Sequence, residues 1–399
     1  MQHYEPIRTA GRILLGPGPS GVHPRVLHAL SMPTIGHLDP EFIEVMNGTK
    51  QMLQYVFGTT NDLTIPISGT GSAGMETALV NFIEPGDRVI VCVSGLFGQR
   101  MADVASRCGA RVDIVEAPWG RSVQPDQVET ALAAAEAAGD KVRLVGIVHA
   151  ETSTGVLQPI AEVAKVAHAH GALVVADCVT SLGGVPVDVD ARELDVVYSG
   201  TQKCLSCPPG LAPLTVNARA VEVLRGRSTK VQSWYLDLTM LLAYWSPERF
   251  YHHTAPINMV YALYEALRLI VEEGLEARYA RHALNAAALK AGLEALGLPL
   301  FAQEGFRAPS LTTVAMPEGV DELAVRKRLM AEYGIEIGGG LGPLKGKILR
   351  IGLMGYTCTK PNVMLLVGAL AECLAAQGFR AGSAREALEA AGAVYEGAR

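Results

Sequence analysis

The sequence is poor in charged and aromatic residues. Charged side chains make up 19% of its 399 residues and aromatic side chains 6%, whereas hydrophobic residues reach 49%. A chain with this balance can bury a large core, which excludes a disordered protein. The 34 basic residues are outnumbered by 40 acidic ones, and the net charge of −6 offers no basic footprint for nucleic acid or an anionic membrane. We therefore expect a globular protein whose partners are small molecules, with no nucleic acid and no membrane among them.

Long apolar runs and a disulfide framework are also missing. No apolar stretch approaches the roughly 20 residues that a membrane-spanning helix requires. Residues 1–6 contain no basic region followed by an apolar run, and residues 396–399 match no sorting signal, so we expect a cytoplasmic chain. The seven cysteines are odd in number and scattered, a distribution that favours reduced thiols over disulfides.

What the sequence does contain is an alternation of apolar, β-branched runs with alanine-rich helical stretches, which is typical of an α/β protein. The predicted strands are residues 63–67, 88–93, 111–115, 142–148, 172–176, 196–198 and 211–216, and the predicted helices between them are 74–82, 97–107, 125–138 and 160–168. Another helix begins after Asp39 and Pro40 and extends toward Phe57. Most of the strands are continuously apolar, so we predict a mainly parallel seven-stranded sheet between layers of helices.

After about residue 256 the pattern changes. Long helices are predicted at 257–271 and 275–296, strands at 312–315, 335–337 and 348–351, and helices at 321–332 and 362–377. The tail from Ala384 is predicted as a short helix with little to bury. We interpret the chain as an N-terminal arm (residues 1–15), a large domain (16–272) and a smaller C-terminal α+β domain (273–399).

A glycine-rich segment at residues 68–74 follows a predicted strand and opens a helix. Its glycines bring backbone N–H groups close to an anion, and the hydroxyls of Thr70 and Ser72 add donors, so a phosphate site is indicated. The same residues match a dinucleotide fingerprint, but the next strand leads into Ser94 and Gly95 without the acidic residue that would bind a ribose. A plain glycine turn is the remaining alternative.

Asp177 and Lys203 each follow a predicted strand. The carboxyl ends of parallel strands share one edge of a sheet, where ligands bind, so the two opposite charges are expected to meet there. An acid that pairs with a pyridinium nitrogen and a lysine that forms a Schiff base are the two protein groups that pyridoxal phosphate (PLP) chemistry needs. Taken singly, Asp177 could equally be a helix cap and Lys203 a solvated surface lysine.

Together these motifs resemble those of the class V (fold type I) aminotransferases, and within that class those of the alanine–glyoxylate and serine–glyoxylate aminotransferases. The resemblance is carried in chain order by residues 15–20, 68–78, 150–156, 176–184, 198–203, 251–254, 339–343 and 349–352. It covers the chain apart from the last twenty or so residues. It implies the fold type I architecture, PLP as cofactor and the transamination of a small amino acid such as alanine or serine with glyoxylate.

The resemblance also implies roles for individual residues. Lys203 would form the Schiff base and Asp177 would pair with the ring nitrogen of PLP. The cofactor phosphate would lie against Thr70, Gly71, Ser72 and Gln202, and the ring between Phe97 and Val179. Ser153 would contact the ring hydroxyl and the substrate carboxylate, which Arg350 would clamp through its planar guanidinium. Tyr251 and Thr254 would reach the phosphate of a neighbouring subunit, which implies a homodimer with shared sites.

Several alternatives remain at this level. A cysteine desulfurase or related lyase would share Asp177 and Lys203 and would need a mobile nucleophilic cysteine, for which Cys358 is the candidate. A ureidoglycine–glyoxylate aminotransferase is nearer, and His37 or Asn258 could then recognise a polar donor. Cys204 and Cys207 form a C-x-x-C directly after Lys203 that could make the site sensitive to oxidation. The adjacent imidazoles of residues 252 and 253 point to different faces, so we expect no metal there.

Overall fold

The computed structural model describes residues 3–398 and contains four β-sheets. The strands, in chain order, are β1 (Ile13–Leu14), β2 (Leu63–Ser68), β3 (Arg88–Val93), β4 (Arg111–Glu116), β5 (Val142–Val148), β6 (Ala150–Glu151), β7 (Val156–Leu157), β8 (Leu173–Asp177), β9 (Val196–Tyr198), β10 (Leu211–Val216), β11 (Leu311–Ala315), β12 (Ile335–Glu336), β13 (Gly338–Gly339) and β14 (Ile348–Gly352). Each of the seven strands predicted before residue 256 is present.

The largest sheet has seven strands in the order β2-β10-β9-β8-β5-β3-β4. Neighbours from β9 to β4 run parallel, whereas β10 is antiparallel to both β9 and β2. The prediction of a mainly parallel sheet is therefore confirmed. The reversal at β10 arises because the connection from β9 contains no crossover helix, and an uncrossed connection returns the chain in the opposite direction.

Helices cover both faces of this sheet and pack together beyond it. They are α1 (Pro24–Leu30), α2 (Pro40–Phe57), α3 (Gly71–Val80), α4 (Leu96–Arg107), α5 (Pro125–Ala137), α6 (Ile160–Ala169), α7 (Ala218–Arg225), α8 (Leu238–Trp245), α9 (Ile257–Glu273), α10 (Leu275–Ala295), α11 (Glu322–Tyr333), α12 (Lys360–Ala376) and α13 (Ala384–Gly397). In the part of the chain that the structure describes, no helix is both long and apolar enough to cross a bilayer.

Two helix starts show how the local sequence determines where a helix begins and how closely it packs. Helix α2 begins as predicted, because the Asp39 carboxylate accepts a hydrogen bond from the Glu41 N–H at 2.9 Å and Pro40 occupies the first helical position. Helix α3 begins at Gly71 rather than at residue 74. Gly74 therefore lies inside the helix. A Cβ there would come within 3.0 Å of the Ala212 Cβ on β10, so this glycine allows α3 to pack closely on the sheet.

A second hydrophobic core lies between the three-stranded sheet β11-β14-β13 and helices α10, α12 and α13. Leu15 belongs to this core, and β1 pairs with β12 beside it. The prediction that the C-terminal tail has little to bury is wrong. Ala387, Ala391 and Tyr395 recur every four residues, form one apolar stripe of α13 and are buried. The domain boundaries at residues 15 and 272 stay a prediction.

Candidate active site

Asp177 ends strand β8 and lies opposite Tyr198, which ends the neighbouring strand β9. Its carboxylate accepts hydrogen bonds from the Val179 N–H and from the Tyr198 hydroxyl, both at 2.8 Å. Burial raises the pKa of Asp177 to about 6, even though these two bonds and the charge of Lys203 favour the ionised form. The structure thus places a carboxylate that titrates near neutral pH at the carboxyl edge of the sheet.

Lys203 lies in the turn that follows β9, and its side chain is 8% exposed. Its ammonium donates a hydrogen bond to the carbonyl oxygen of Pro17. Gly18 has a φ of 105°, a conformation that favours glycine, and a Cβ there would come within 2.6 Å of the Lys203 Nζ, so a glycine suits this close passage beside the amine. Burial, and then the charge of Arg350, lower the pKa of Lys203 to about 8, which leaves a fraction of the amine uncharged and nucleophilic at neutral pH.

These two groups line a cavity of about 170 Å³. Its lining residues are Gly71, Ser72, Met75, Phe97, Arg100, Val148, Thr152, Asp177, Val179, Gln202 and Lys203. Seven of the residues predicted from the sequence therefore converge here. Thr70, Ser153, Tyr251, Thr254 and Arg350 are not among the residues that line this cavity.

One end of the cavity is the start of helix α3. Thr70 is extended at the N-cap position, and Gly71 and Ser72 form the first helical turn, whose N–H groups carry positive partial charge toward the cavity. The side-chain oxygen of Gln202 is buried there and has no hydrogen-bond partner within residues 3–398. Rotation of this amide by 180° presents two donors instead, so the orphaned group fits an anion.

Phe97 and Arg100 form a second wall on helix α4. The Glu151 carboxylate accepts hydrogen bonds from the N–H groups of Phe97 and Gly98 at 3.2 Å and so fixes the first turn of the helix. The guanidinium of Arg100 lies 4.9 Å from the Phe97 ring centroid. Neither Glu151 nor Arg100 was predicted as a site residue. The spacing of three residues between Phe97 and Arg100 on a helix was the available signal for the second.

Ser153 is fully buried beside this wall. Its hydroxyl donates to the Glu151 carboxylate at 2.5 Å and accepts from the Leu96 N–H at 2.9 Å, while the adjacent Thr152 lines the cavity. Gly95 accommodates this pair, because a Cβ there would come within 2.3 Å of the Ser153 hydroxyl. The predicted contact of Ser153 with the cofactor and substrate stays a prediction.

Arg350 projects from β14, in the second core region, toward residues 151–152. Its Nε donates to the Gly339 carbonyl at 2.6 Å and its Nη1 to the Thr152 carbonyl at 3.2 Å. Burial lowers the pKa of Arg350 to about 10, against the opposing influence of Glu151, so the guanidinium remains charged at neutral pH. Its bonded partners are neutral carbonyl groups, which leaves the positive charge available to an acid.

Tyr251 and Thr254 are exposed, and their hydroxyl oxygens lie 3.3 Å apart. They are not part of the cavity of this chain, so their predicted role in a neighbouring subunit stays a prediction. The Asn258 side chain binds its own chain: its amide donates to the carbonyls of Leu30 and Met32, and its oxygen accepts from Thr34. That engagement leaves His37 as the remaining candidate to recognise a polar donor.

The candidate thiols are buried. Cys358 is inaccessible to solvent, and burial raises its pKa to about 12, which disfavours the thiolate that a nucleophile requires. Burial also raises the pKa of Cys204 to about 11 and that of Cys207 beyond it. These environments disfavour both the desulfurase alternative and oxidation at the C-x-x-C.

Comparison with known proteins identifies the family. The sequence model of the class V aminotransferases matches residues 26–360. The chain belongs to the class V aminotransferases. It is 41% identical to the (S)-ureidoglycine–glyoxylate transaminase of Bacillus subtilis over 97% of this chain and 96% of that one. It is 42% identical to the alanine–glyoxylate aminotransferase of Callithrix jacchus over 93% of this chain and 89% of that one.

Among solved structures, the alanine–glyoxylate aminotransferase of Nostoc sp. superimposes with a TM-score of 0.90 at 47% identity and covers 94% of this chain and 98% of its own. The family membership confirms the fold type I architecture and PLP as the cofactor. The cavity fits that group in this chain: Asp177 and Lys203 share it with an anion cradle at the start of α3 and the orphaned amide of Gln202.

Proposed function

We propose that this class V aminotransferase transfers the amino group of a small L-amino acid, alanine or serine, to glyoxylate, producing glycine together with pyruvate or hydroxypyruvate. The observation that carries the proposal is the convergence of Asp177, Lys203 and the anion cradle in one cavity beside Arg350. Bound PLP supplies an electron sink that makes the α-hydrogen of the amino acid acidic.

Lys203 acts as the general base and acid. Its pKa of about 8 lets its amine accept the α-proton of the donor at neutral pH and return that proton to an adjacent carbon. Asp177 stabilises a proton on the ring nitrogen, and Tyr198 and Val179 hold the carboxylate in place. We thus assign proton movement to the edge of the seven-stranded sheet.

Arg350 binds the substrate carboxylate. Donor and acceptor both carry an α-carboxylate, so one guanidinium orients each in turn, and the second half-reaction repeats the first in reverse. Its planar fork can form two parallel hydrogen bonds with a carboxylate. A homodimer in which Tyr251 and Thr254 complete the neighbouring site is part of the same proposal, supported by the exposure of both side chains.

Ureidoglycine is the second candidate donor. It is favoured by the Bacillus subtilis relative, which aligns over 97% of this chain. The two candidates share every step at Lys203, Asp177 and Arg350, so they differ only in the donor side chain that the cavity accepts.

The test is a donor panel of alanine, serine and ureidoglycine, each offered with glyoxylate to the purified holoenzyme, with identification of the keto product. We expect pyruvate or hydroxypyruvate to form in equal amount with glycine. A kcat/KM that is highest for ureidoglycine would select the second candidate. If no donor yields a keto product, both candidates are wrong.

A further inference from the structure

Two adjacent histidines in the segment 251–254 connect to Ser68, the first residue of the glycine-rich segment 68–74, which we call the phosphate loop. The Nδ1 atoms of His252 and His253 lie 2.8 Å apart, with the two rings nearly perpendicular at 89°. The Nε2 of His252 lies 3.1 Å from the carbonyl oxygen of Trp234, and the Nε2 of His253 lies 2.7 Å from the hydroxyl of Ser68. The four groups form one continuous hydrogen-bonded chain.

When both histidines are neutral, this chain of hydrogen bonds allows only one arrangement of protons. The carbonyl of Trp234 can only accept, so the Nε2 of His252 carries a proton and its Nδ1 is an acceptor. The Nδ1 of His253 must then donate to it, which leaves the Nε2 of His253 as an acceptor for the Ser68 hydroxyl. In the neutral state the Ser68 hydroxyl therefore donates its only proton in a hydrogen bond to His253.

One added proton reverses the last bond. When the Nε2 of His253 is protonated, it donates to the Ser68 oxygen, and the hydroxyl proton of Ser68 becomes available to another acceptor. The same event adds one positive charge beside the loop. Ser68 ends β2, directly before Gly69 and the anion cradle at residues 70–72, so both consequences favour a bound anion.

The surroundings of the pair contain no competing charge of either sign within hydrogen-bonding distance in residues 3–398. The rings that face it are those of Trp234, stacked on His252 at 4.4 Å, and of Tyr235 and Tyr244, which approach His253 at 5.1 and 5.9 Å. Arg249, in the segment just before the pair, donates a hydrogen bond to the Tyr244 carbonyl. Burial and the neighbouring His252 lower the pKa of His253, which favours the neutral form of His253 in the free protein.

We propose that His252 and His253 are positioning residues for the phosphate loop, and that anion binding at residues 70–72 is coupled to the uptake of one proton by this pair. The inference rests on the proposed role of that loop as the phosphate site. By linkage, a bound anion makes protonation of His253 easier, and protonation of His253 strengthens the binding of the anion to the same degree.

The experiment uses inorganic sulfate, because it remains a dianion between pH 5.5 and pH 8, as a probe of the full-length apoprotein. Sulfate affinity is measured by calorimetry at several pH values, in two buffers of different ionisation enthalpy that report proton uptake directly. A parallel titration with PLP bound shows whether PLP blocks the sulfate site. His253→Gln, Ser68→Ala and, as a matched control, the exposed His28→Gln are compared with the unmodified chain.

We expect acidification to strengthen sulfate binding more in the unmodified chain and in His28→Gln than in His253→Gln. The expected difference is about threefold to tenfold, the effect of one hydrogen bond and one nearby charge. Ser68→Ala should keep only the part due to charge. Asp177 and Lys203 titrate in every variant, so the difference between variants is the result. Equal pH dependence in the unmodified chain and His253→Gln would overturn the coupling.

Sulfate binding that PLP does not block would instead argue against the phosphate loop itself. If His253→Gln fails to fold, the comparison rests on Ser68→Ala and on proton uptake in the unmodified chain, and zero uptake there would also overturn the proposal.

Discussion

Two sheets contribute charge to the candidate site in different ways: the seven-stranded sheet has its charged groups in the cavity, whereas the three-stranded sheet contributes Arg350 from beside the lining residue Thr152. At the edge of the seven-stranded sheet, burial brings the pKa of Asp177 up to about 6 and that of Lys203 down to about 8. On the three-stranded sheet, burial lowers the pKa of Arg350 to about 10, which is still well above neutral pH. Its guanidinium donates hydrogen bonds to the carbonyls of Gly339 and Thr152. The first pair can gain or lose protons near neutral pH, whereas Arg350 holds a permanent charge.

Proton transfer and substrate binding are therefore expected to be divided between two structural regions. Groups at the large sheet are expected to control kcat, because they move protons in the transition state. Arg350 is expected to control KM, because its charge is the same before and during the reaction. Variants at either sheet therefore test this division.

The largest effect is expected from Lys203→Ala. Loss of the amine removes both the covalent attachment of PLP and the general base, so the visible absorbance of the holoenzyme should disappear and kcat should fall by about 10³-fold or more. Spectra and steady-state rates of the purified variant provide the measurement.

A matched control exists in the same chain. Burial also lowers the pKa of Lys290, on helix α10, to about 8, but that residue does not line the cavity. Lys290→Ala should keep the colour and the rate. If Lys203→Ala stays coloured and active, or if Lys290→Ala loses both properties, the assignment of the base is wrong.

Arg350→Lys should act mainly on binding. Lysine preserves the charge but replaces a planar fork by a single ammonium, so kcat/KM should fall by about 10- to 100-fold, mostly through KM and for donor and acceptor alike. Arg385→Lys is the control, because Arg385 lies on α13 in the same region but pairs with Glu389 on the exposed surface of that helix. An unchanged KM for both substrates in Arg350→Lys would assign Arg350 to structure.

The sequence predicted the large-sheet side of this comparison better than the other. Asp177 and Lys203 follow strands that share a sheet edge, so their meeting follows from strand order alone. The binding of Glu151 to the start of helix α4, more than fifty residues earlier in the chain, depends on the packed structure. The same holds for the burial of Ser153, whose hydroxyl binds the Glu151 carboxylate and the Leu96 N–H. Long-range contacts of this kind leave no periodic signal in a single sequence.

A third prediction concerns stability. The folded pKa of Asp177 lies above the ordinary value of 3.8, so its ionised form is disfavoured in the apoprotein, and stability falls as pH rises from about 4 to about 6. Asp177→Asn removes this penalty while its amide can still bind Val179 and Tyr198. At pH 7 the apoprotein variant should gain about 1–3 kcal/mol in free energy of unfolding while losing activity.

Urea denaturation at pH 7 and at pH 4 measures this effect. The gain should shrink at pH 4, where Asp177 in the parent protein is already neutral. A variant that is less stable than the parent at both pH values would show that the carboxylate contributes to the fold rather than only to function.

The smallest expected effect is at the Phe97 wall. Arg100 lies 4.9 Å from the Phe97 ring centroid, and it is exposed, so the contact should contribute about 0.5–1 kcal/mol. Arg100→Met should therefore weaken PLP binding by about twofold to fivefold.

The charge of Arg100 could also act on the cofactor phosphate directly, and a double-mutant cycle with Phe97→Leu separates the two contributions. If Arg100 acts through the ring, its substitution has little effect once Phe97 is replaced; if it acts on the phosphate, the two losses add. Coupling in this cycle would make the wall a fixed platform on the large-sheet side, distinct from the binding charge that Arg350 contributes from the other sheet.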